Sequence, residues 1–176
     1  MKYQDCAEAL QADDAFDGLA GDPARLAEAN INPSTGLASD YLNHFNEAIM
    51  LLEMLSSCPD CRDDFLGWRP KSYREHFEAS RFKGRALAIA AYDAADPSLR
   101  GCLDALASTM TAVLEATRAA MNSAVPPQSA VALADRAAAL LRPLVARAGA
   151  VINGEATSGA GEPVTPQAMV DGLMKN

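Results

Sequence analysis

The sequence has few aromatic residues and few histidines, and it lacks the motifs of nucleotide-dependent and triad enzymes. Aromatic residues make up 6% of the 176 residues, and only two histidines are present. We find no glycine-rich phosphate loop, no G-x-G-x-x-G run and no Ser-His-Asp or Cys-His ordering. The sequence therefore favours a protein that is not an enzyme, and we expect no cofactor.

The sequence also lacks the segments that direct a chain into or across a membrane. Residues 1–20 have neither the basic start nor the continuous apolar core of a signal peptide, and no apolar run reaches the length that a bilayer demands. We therefore expect a soluble, cytoplasmic protein without a membrane partner. The four cysteines are then expected to be free thiols rather than a disulfide framework. They are Cys6, Cys58, Cys61 and Cys102.

Positive charge is scarce, and the net charge is −8. Residues 1–40 carry two basic and eight acidic side chains, so this segment is expected to be either a solvated face or an acidic contact arm. Most of this surface would repel a polyanion such as nucleic acid, and no basic run with interleaved aromatic residues is present to bind one. Nucleic acid is therefore not an expected partner.

Alanine is abundant, and apolar residues recur at regular spacing, which together indicate helices. Hydrophobic residues make up 49% of the chain, and they recur at steps of three and four over four long segments. We predict an all-α fold, an up-and-down four-helix bundle with a short N-terminal helix at residues 3–16 and a flexible C-terminal tail. The four main helices are predicted at about residues 40–56, 72–95, 97–123 and 127–153.

Turn and capping residues set the boundaries of these helices. Ser72 and Glu75 have the spacing of a capping box. Ser39 is the expected N-cap of the first main helix, and Asp96 is the expected cap of the third. The chain is divided accordingly into an acidic N-terminal segment at residues 1–38, a helical bundle domain at residues 39–153, and a linker with an amphipathic peptide at residues 154–176.

The first main helix is apolar over more of its circumference than a contact between two helices needs. Its apolar residues repeat at steps of four, three, four and three from Tyr41 to Leu55. Ile49, Met50 and Met54 widen this apolar face. Such a helix lies inside a bundle or at an interface, so we expect a homodimer or a hetero-complex.

The same helix carries a candidate site, His44 and Glu47, which are three residues apart and therefore neighbours on the helix surface. This pair suits a ligand or phosphoryl-acceptor site, and it equally suits a structural histidine with a local hydrogen bond. We do not expect a metal shared with His76 unless the long loop shifts the pairing, because antiparallel pairing of the first two main helices would offset the two histidines by about 10 Å. No metal site is predicted.

Cys58 and Cys61 form a C-x-x-C pair with a proline between them, which is the spacing of redox dithiols and of half a zinc site. A zinc site needs a second pair of ligands, and the redox motif belongs to a strand–helix fold that this sequence does not predict. Three interpretations stay open: a zinc half-site, a reversible disulfide and two ordinary loop thiols. The pair lies in a long connection at residues 57–71, which Phe65, Leu66 and Trp68 are expected to anchor.

The C-terminal segment combines a linker with a short amphipathic peptide. Residues 154–166 are rich in Gly, Ser, Thr and Pro, which is typical of a linker. A tether followed by a methionine-rich peptide is typical of a docking tail, since Met adapts to a partner's groove, and the alternative is a frayed terminus without a function. The apolar residues of this peptide, which are the predicted partner-binding residues, are Met169, Val170, Leu173 and Met174.

These observations favour a non-catalytic interaction protein, which would be an adaptor, a regulator or an accessory subunit of a complex. We expect it to bind another protein through its C-terminal tail and its helix surfaces. The alternatives are a phosphorelay or a metal- or small-ligand-binding bundle that uses His44 and Glu47, with His76 as a further candidate, and a thiol redox switch at Cys58 and Cys61.

Overall fold

Helices form nearly all the regular structure of the chain in the computed structural model, which describes residues 22–123 and 125–155. The predicted all-α fold is confirmed for these residues, whose only β-pairing is a bridge between Ile31 and Ala38. No helix within these ranges is long and apolar enough to cross a membrane. The described helices are α1 (Pro23–Glu28), a 3-10 helix (Ser39–Tyr41), α2 (Leu42–Met54), α3 (Cys61–Gly67), α4 (Tyr73–Ala79), α5 (Arg85–Ala94), α6 (Pro97–Asn122) and α7 (Pro127–Ile152).

The core is centred on α2, α6 and α7, and α7 packs against both of the other two helices. α7 contributes small buried side chains, among them Ala134 and Ala148, which let neighbouring helices approach closely. α2 and α6 contribute large ones, such as Phe45, Met110 and Leu114, which are fully buried. Small and large side chains together fill the space between the helices.

Two contacts establish that α2 and α7 run antiparallel. Glu53, near the end of α2, accepts a hydrogen bond from Arg142 at 2.8 Å. Leu42, at the start of α2, lies beside Gly149, seven residues later in α7. The Glu53–Arg142 ion pair is exposed on both sides, so it marks the register of the two helices and contributes little to stability.

A tight turn precedes α2 and is tied to the end of α7. Gly36 has a φ of 70°, and its amide donates to the Asn32 carbonyl at 2.8 Å. The Thr35 hydroxyl donates to the Ile152 carbonyl at 2.6 Å, and this bond is buried. This buried bond therefore joins the turn to the C-terminal end of α7.

The predicted helix ends agree with the structure at most positions. The capping box of Ser72 and Glu75 is present at α4, and Asp96 accepts hydrogen bonds from backbone amides at the start of α6. The N-cap role predicted for Ser39 is wrong, because Ser39 begins the 3-10 helix and makes no side-chain cap bond there. A 3-10 turn thus extends the start of α2 by one turn.

The second main helix, predicted to be continuous over residues 72–95, is broken into α4 and α5. Ser80 ends α4 with an extended backbone, at ψ 159°. Its hydroxyl donates to the Phe77 carbonyl at 2.8 Å and accepts from the Phe82 amide at 3.2 Å. These local bonds satisfy backbone groups that a continuous helix would pair within itself, which is how serine competes with helix formation.

The connection at residues 57–71 contains α3, which apolar periodicity did not predict. A helix of seven residues is too short to establish such a period. The predicted anchors pack as expected: Phe65 and Trp68 are buried, and Leu66 is half-buried against the core. The Trp68 indole also donates to the His44 carbonyl at 3.2 Å.

Two predicted features lie outside the described residues. They are the short helix at residues 3–16 and the C-terminal peptide that follows the linker. The first helix within the described range, α1, starts at Pro23 behind an Asp22 cap and was not predicted.

Candidate functional site

His44 lies in an aromatic cluster where α2 meets the chain after α3. Its ring stacks on Trp68, with 4.8 Å between the centroids and 21° between the planes, and its centroid is 5.4 Å from that of Phe45. His44 is only 5% exposed, and its Nε2 atom has no hydrogen-bond partner. Burial, together with the positive charge of Lys71, lowers the pKa of His44 to about 4, so the ring is neutral near pH 7.

His76, on α4, lies closer to His44 than the sequence predicted. Their ring centroids are 6.0 Å apart. The expected offset of about 10 Å is wrong, because α3 and the turn after it return the chain to the first half of α2. The pKa of His76 is lowered overall: burial and the charge of Lys71 lower it, and the smaller effects of Asp40 and Glu47 raise it.

The structure brings the two histidines together without assembling a metal site. Among the residues described, no three His, Cys, Asp or Glu side chains are placed to hold a metal ion. Glu47 is exposed on α2, whereas His44 is buried. Phosphoryl transfer to His44 requires access to a ring nitrogen, and burial of the ring disfavours that access. The aromatic rings nearest to His44 are those of Trp68, at 4.8 Å, and Phe45, at 5.4 Å.

Cys58 and Cys61 lie at the two ends of a tight turn between α2 and α3. The Cys61 amide donates to the Cys58 carbonyl at 3.0 Å. Both are free thiols; Cys58 is half-buried and Cys61 is buried. The neighbouring Cys58, burial, and the nearby carboxylates of Asp64 and Asp60 raise the pKa of Cys61 to about 11. The two cysteines of the predicted redox pair therefore lie at opposite ends of one hydrogen-bonded turn.

A groove of about 570 Å³ runs beside α4, α5 and α6, and three tyrosines line it. The Tyr41 and Tyr73 hydroxyls bond to backbone groups at 3.1 Å and 2.9 Å, and Tyr92 donates to the Asp104 carboxylate at 2.7 Å. Burial and the hydrogen bond to Asp104 raise the pKa of Tyr92 to about 12. All three hydroxyls therefore bond to the protein itself. The sequence did not predict this groove, because its tyrosines come from separate segments that no motif links.

Two large hydrophobic side chains are exposed on α2. Met50 is 49% exposed and Met54 is 43% exposed, and they are the only large hydrophobic residues classed as exposed in the described ranges. They lie one helical turn apart and therefore on one face, beside Glu53. The four residues predicted to bind a partner lie outside the described part of the chain: Met169, Val170, Leu173 and Met174.

Comparison with other proteins places this chain in no family. No protein-family model, curated protein or solved structure matches it. A functional proposal therefore rests on the sequence and on the geometry of the described residues.

Proposed function

We propose that this chain is a non-catalytic interaction protein, which acts as an adaptor, a regulator or an accessory subunit of a complex. In this proposal its scaffold is an up-and-down bundle in which α2, the α4–α5 pair, α6 and α7 alternate in direction. The observation that supports the function is the exposed pair Met50 and Met54 on α2. Neighbouring exposed apolar side chains on one helix face are typical of a contact surface.

The methionine surface, which we define as Met50, Met54 and the ion pair Glu53–Arg142, has the chemistry of an interface. Methionine is flexible and polarisable, so it adapts to partner surfaces of different shape. The Glu53–Arg142 pair lies beside the two methionines and supplies the polar rim that surrounds the apolar centre of most interfaces. An amphipathic partner helix with apolar residues one turn apart would bury both methionines and leave the ion pair at the edge.

The C-terminal peptide is the second proposed contact. By composition, a linker at residues 154–166 joins it to the end of α7. Two contacts on one chain raise the apparent affinity for a partner that engages both. The peptide residues in this proposal are Met169, Val170, Leu173 and Met174.

A phosphorelay or ligand function at His44 and Glu47 is the alternative, and the geometry supports it less well. The His44 ring is buried against Trp68, and its low pKa keeps it neutral. His76 is more accessible but lies within the same aromatic cluster.

The test is affinity capture of partners from a native extract with four purified proteins. They are the wild-type chain, the double variant Met50→Asp/Met54→Asp, the matched control Met50→Leu/Met54→Leu, and a chain that ends at Glu155. Leu keeps the apolar surface and Asp removes it, and both substitutions lie at exposed positions where folding should tolerate them. Circular dichroism of each protein checks that its helices are intact.

We expect the wild type and the Leu variant to capture the same protein and the Asp variant to lose it. The shortened chain should retain that protein less well, since it lacks the second contact. Equal capture by the Leu and Asp variants would contradict a role for the methionine surface. Capture of nothing by the wild type would contradict the proposed function as a whole.

A further inference from the structure

The turn that carries Cys58 and Cys61 has the geometry that a disulfide needs. Pro59 and Asp60 occupy its two central positions, Asp60 has φ −65° and ψ −22°, and the Cys61 amide closes the turn on the Cys58 carbonyl at 3.0 Å. Such a turn brings its first and last α-carbons within about 7 Å, and disulfides join α-carbons that are about 4.4–6.8 Å apart. The two cysteines are therefore close enough for their side chains to be joined without unfolding the turn. Oxidation would therefore require little movement of the backbone.

Pro59 restricts the backbone of the turn between the two cysteines. Proline at the second position of a turn has its φ fixed at the value that the turn needs. The Cys58 amide also donates to the Met54 carbonyl at 2.8 Å, which fixes the turn to the end of α2. Backbone hydrogen bonds therefore restrain the positions of both cysteines.

The two thiols differ in solvent exposure, and this difference determines which of them reacts first with an oxidant. Cys58 is half-buried, whereas Cys61 is only 5% exposed and belongs to the core, so we expect a small reagent to reach Cys58 first. The pKa of Cys61 is also raised, first by its neighbour Cys58 and then by burial, so little of this thiol is thiolate near pH 7. Cys58 is then the thiol that meets an oxidant, and Cys61 is the thiol that resolves the product.

We propose that Cys58 and Cys61 form a reversible intramolecular disulfide, and that a low-molecular-weight disulfide of the glutathione type is the oxidant. This inference rests on the turn and on the two thiols. It does not depend on the methionine surface or on any partner. A zinc half-site is the less favoured use of this pair, because no third ligand lies within reach among the described residues.

The reaction balances in two exchange steps. The Cys58 thiol loses its proton and attacks one sulfur of the small disulfide, so that a bond forms to Cys58 and one small thiolate leaves and takes up a proton. The Cys61 thiol then loses its proton and attacks the Cys58 sulfur, which expels the second small thiol. The two protein thiols lose two electrons in total, and the small disulfide gains them as it becomes two thiols.

The test uses a full-length chain in which Cys6 and Cys102 are replaced by serine, so that only this pair can react. The protein is equilibrated with glutathione and glutathione disulfide over a range of ratios, the reaction is stopped with acid, and intact mass spectrometry counts the products. The matched control retains Cys102 alone, since Cys102 is an exposed thiol on α6. Circular dichroism checks that each protein is folded.

We expect the pair to lose two hydrogens in one transition without accumulating a glutathione adduct, whereas the Cys102 control should accumulate only the adduct. Replacing Cys61 by serine should trap glutathione on Cys58. Replacing Cys58 should slow the reaction of the remaining thiol by about tenfold or more, because Cys61 is buried.

Two results would overturn the proposal. One is a stable glutathione adduct on the folded protein that retains both Cys58 and Cys61. The other is a disulfide that forms only after urea unfolds the chain. Alkylation of the unsubstituted protein with iodoacetamide gives an independent check that needs no variant, and equal or faster labelling of Cys61 than of Cys58 would contradict the proposed order of reaction.

Discussion

At the scale of single residues, the histidine pair makes the aromatic cluster sensitive to acid. His44 stacks on Trp68 as a neutral ring, and His76 lies 6.0 Å from it. Burial lowers the pKa of both side chains in the folded protein. The unfolded chain therefore binds protons that the folded chain does not, and acid favours unfolding.

For His44 the pH range follows from its two pKa values. The unfolded side chain titrates near 6.5 and the folded one near 4, so its contribution to stability is complete above pH 6.5 and is lost as the pH falls toward 4. We expect the free energy of unfolding, measured with urea, to be lower by about 2 kcal/mol at pH 5 than at pH 7.5. His76 adds to this loss in the same direction.

The matched variant for this measurement is His44→Phe. Phenylalanine retains an aromatic stack on Trp68 and cannot be protonated, so the variant should lose much less stability between pH 7.5 and pH 5. An identical loss in the variant and the wild type would mean that His44 is not the source of the pH dependence.

At the scale of helices, the predicted boundaries were most accurate where a long apolar period is bounded by clear capping or proline signals. α6 and α7 were predicted within a residue or two, since both are 26 residues long and carry regular apolar faces. The break between α4 and α5 was not predicted, because it depends on the bonds of Ser80 to Phe77 and Phe82 rather than on apolar spacing. α3 is too short to have a detectable period.

The sequence could predict only those features of the candidate site that depend on local spacing. Proximity of Cys58 and Cys61 follows from their spacing alone, and in the structure they end one hydrogen-bonded turn. Proximity of His44 and His76 depends on the path of the chain through α3, which local spacing does not encode. The exposed positions of Met50 and Met54 on a mostly apolar helix likewise depend on which helices pack against α2.

The capping box of α4 gives a prediction at this scale. The Ser72 amide donates to the Glu75 carboxylate at 2.8 Å, and the Ser72 hydroxyl accepts from the Glu75 amide at 3.3 Å. We expect Ser72→Ala to lower the free energy of unfolding by about 1 kcal/mol, because it leaves a backbone amide at the helix start without its partner. Ser72→Thr keeps the hydroxyl and should cost much less. Urea unfolding of the three proteins measures the difference, and equal losses in both variants would contradict a capping role.

At the scale of the whole molecule, stability should depend on the last turn of α7. A chain that ends at Glu155 retains this turn and is the reference protein. A chain that ends at Ala148 loses the buried residues Val151 and Ile152 and the bond to Thr35. It should be less stable by roughly 3 to 5 kcal/mol. Equal midpoints for the two shortened chains would refute this assignment.

The bond between Thr35 and Ile152 also bears on how the protein is made. The two residues are 117 positions apart, and α7 is the helix that covers α2. At a synthesis rate of about 5–20 residues per second, the apolar face of α2 leaves the ribosome roughly 5 to 20 s before its cover is complete. The nascent chain is therefore most exposed to aggregation and to chaperones during translation of α6 and α7, and codons that slow this stretch would lengthen that period.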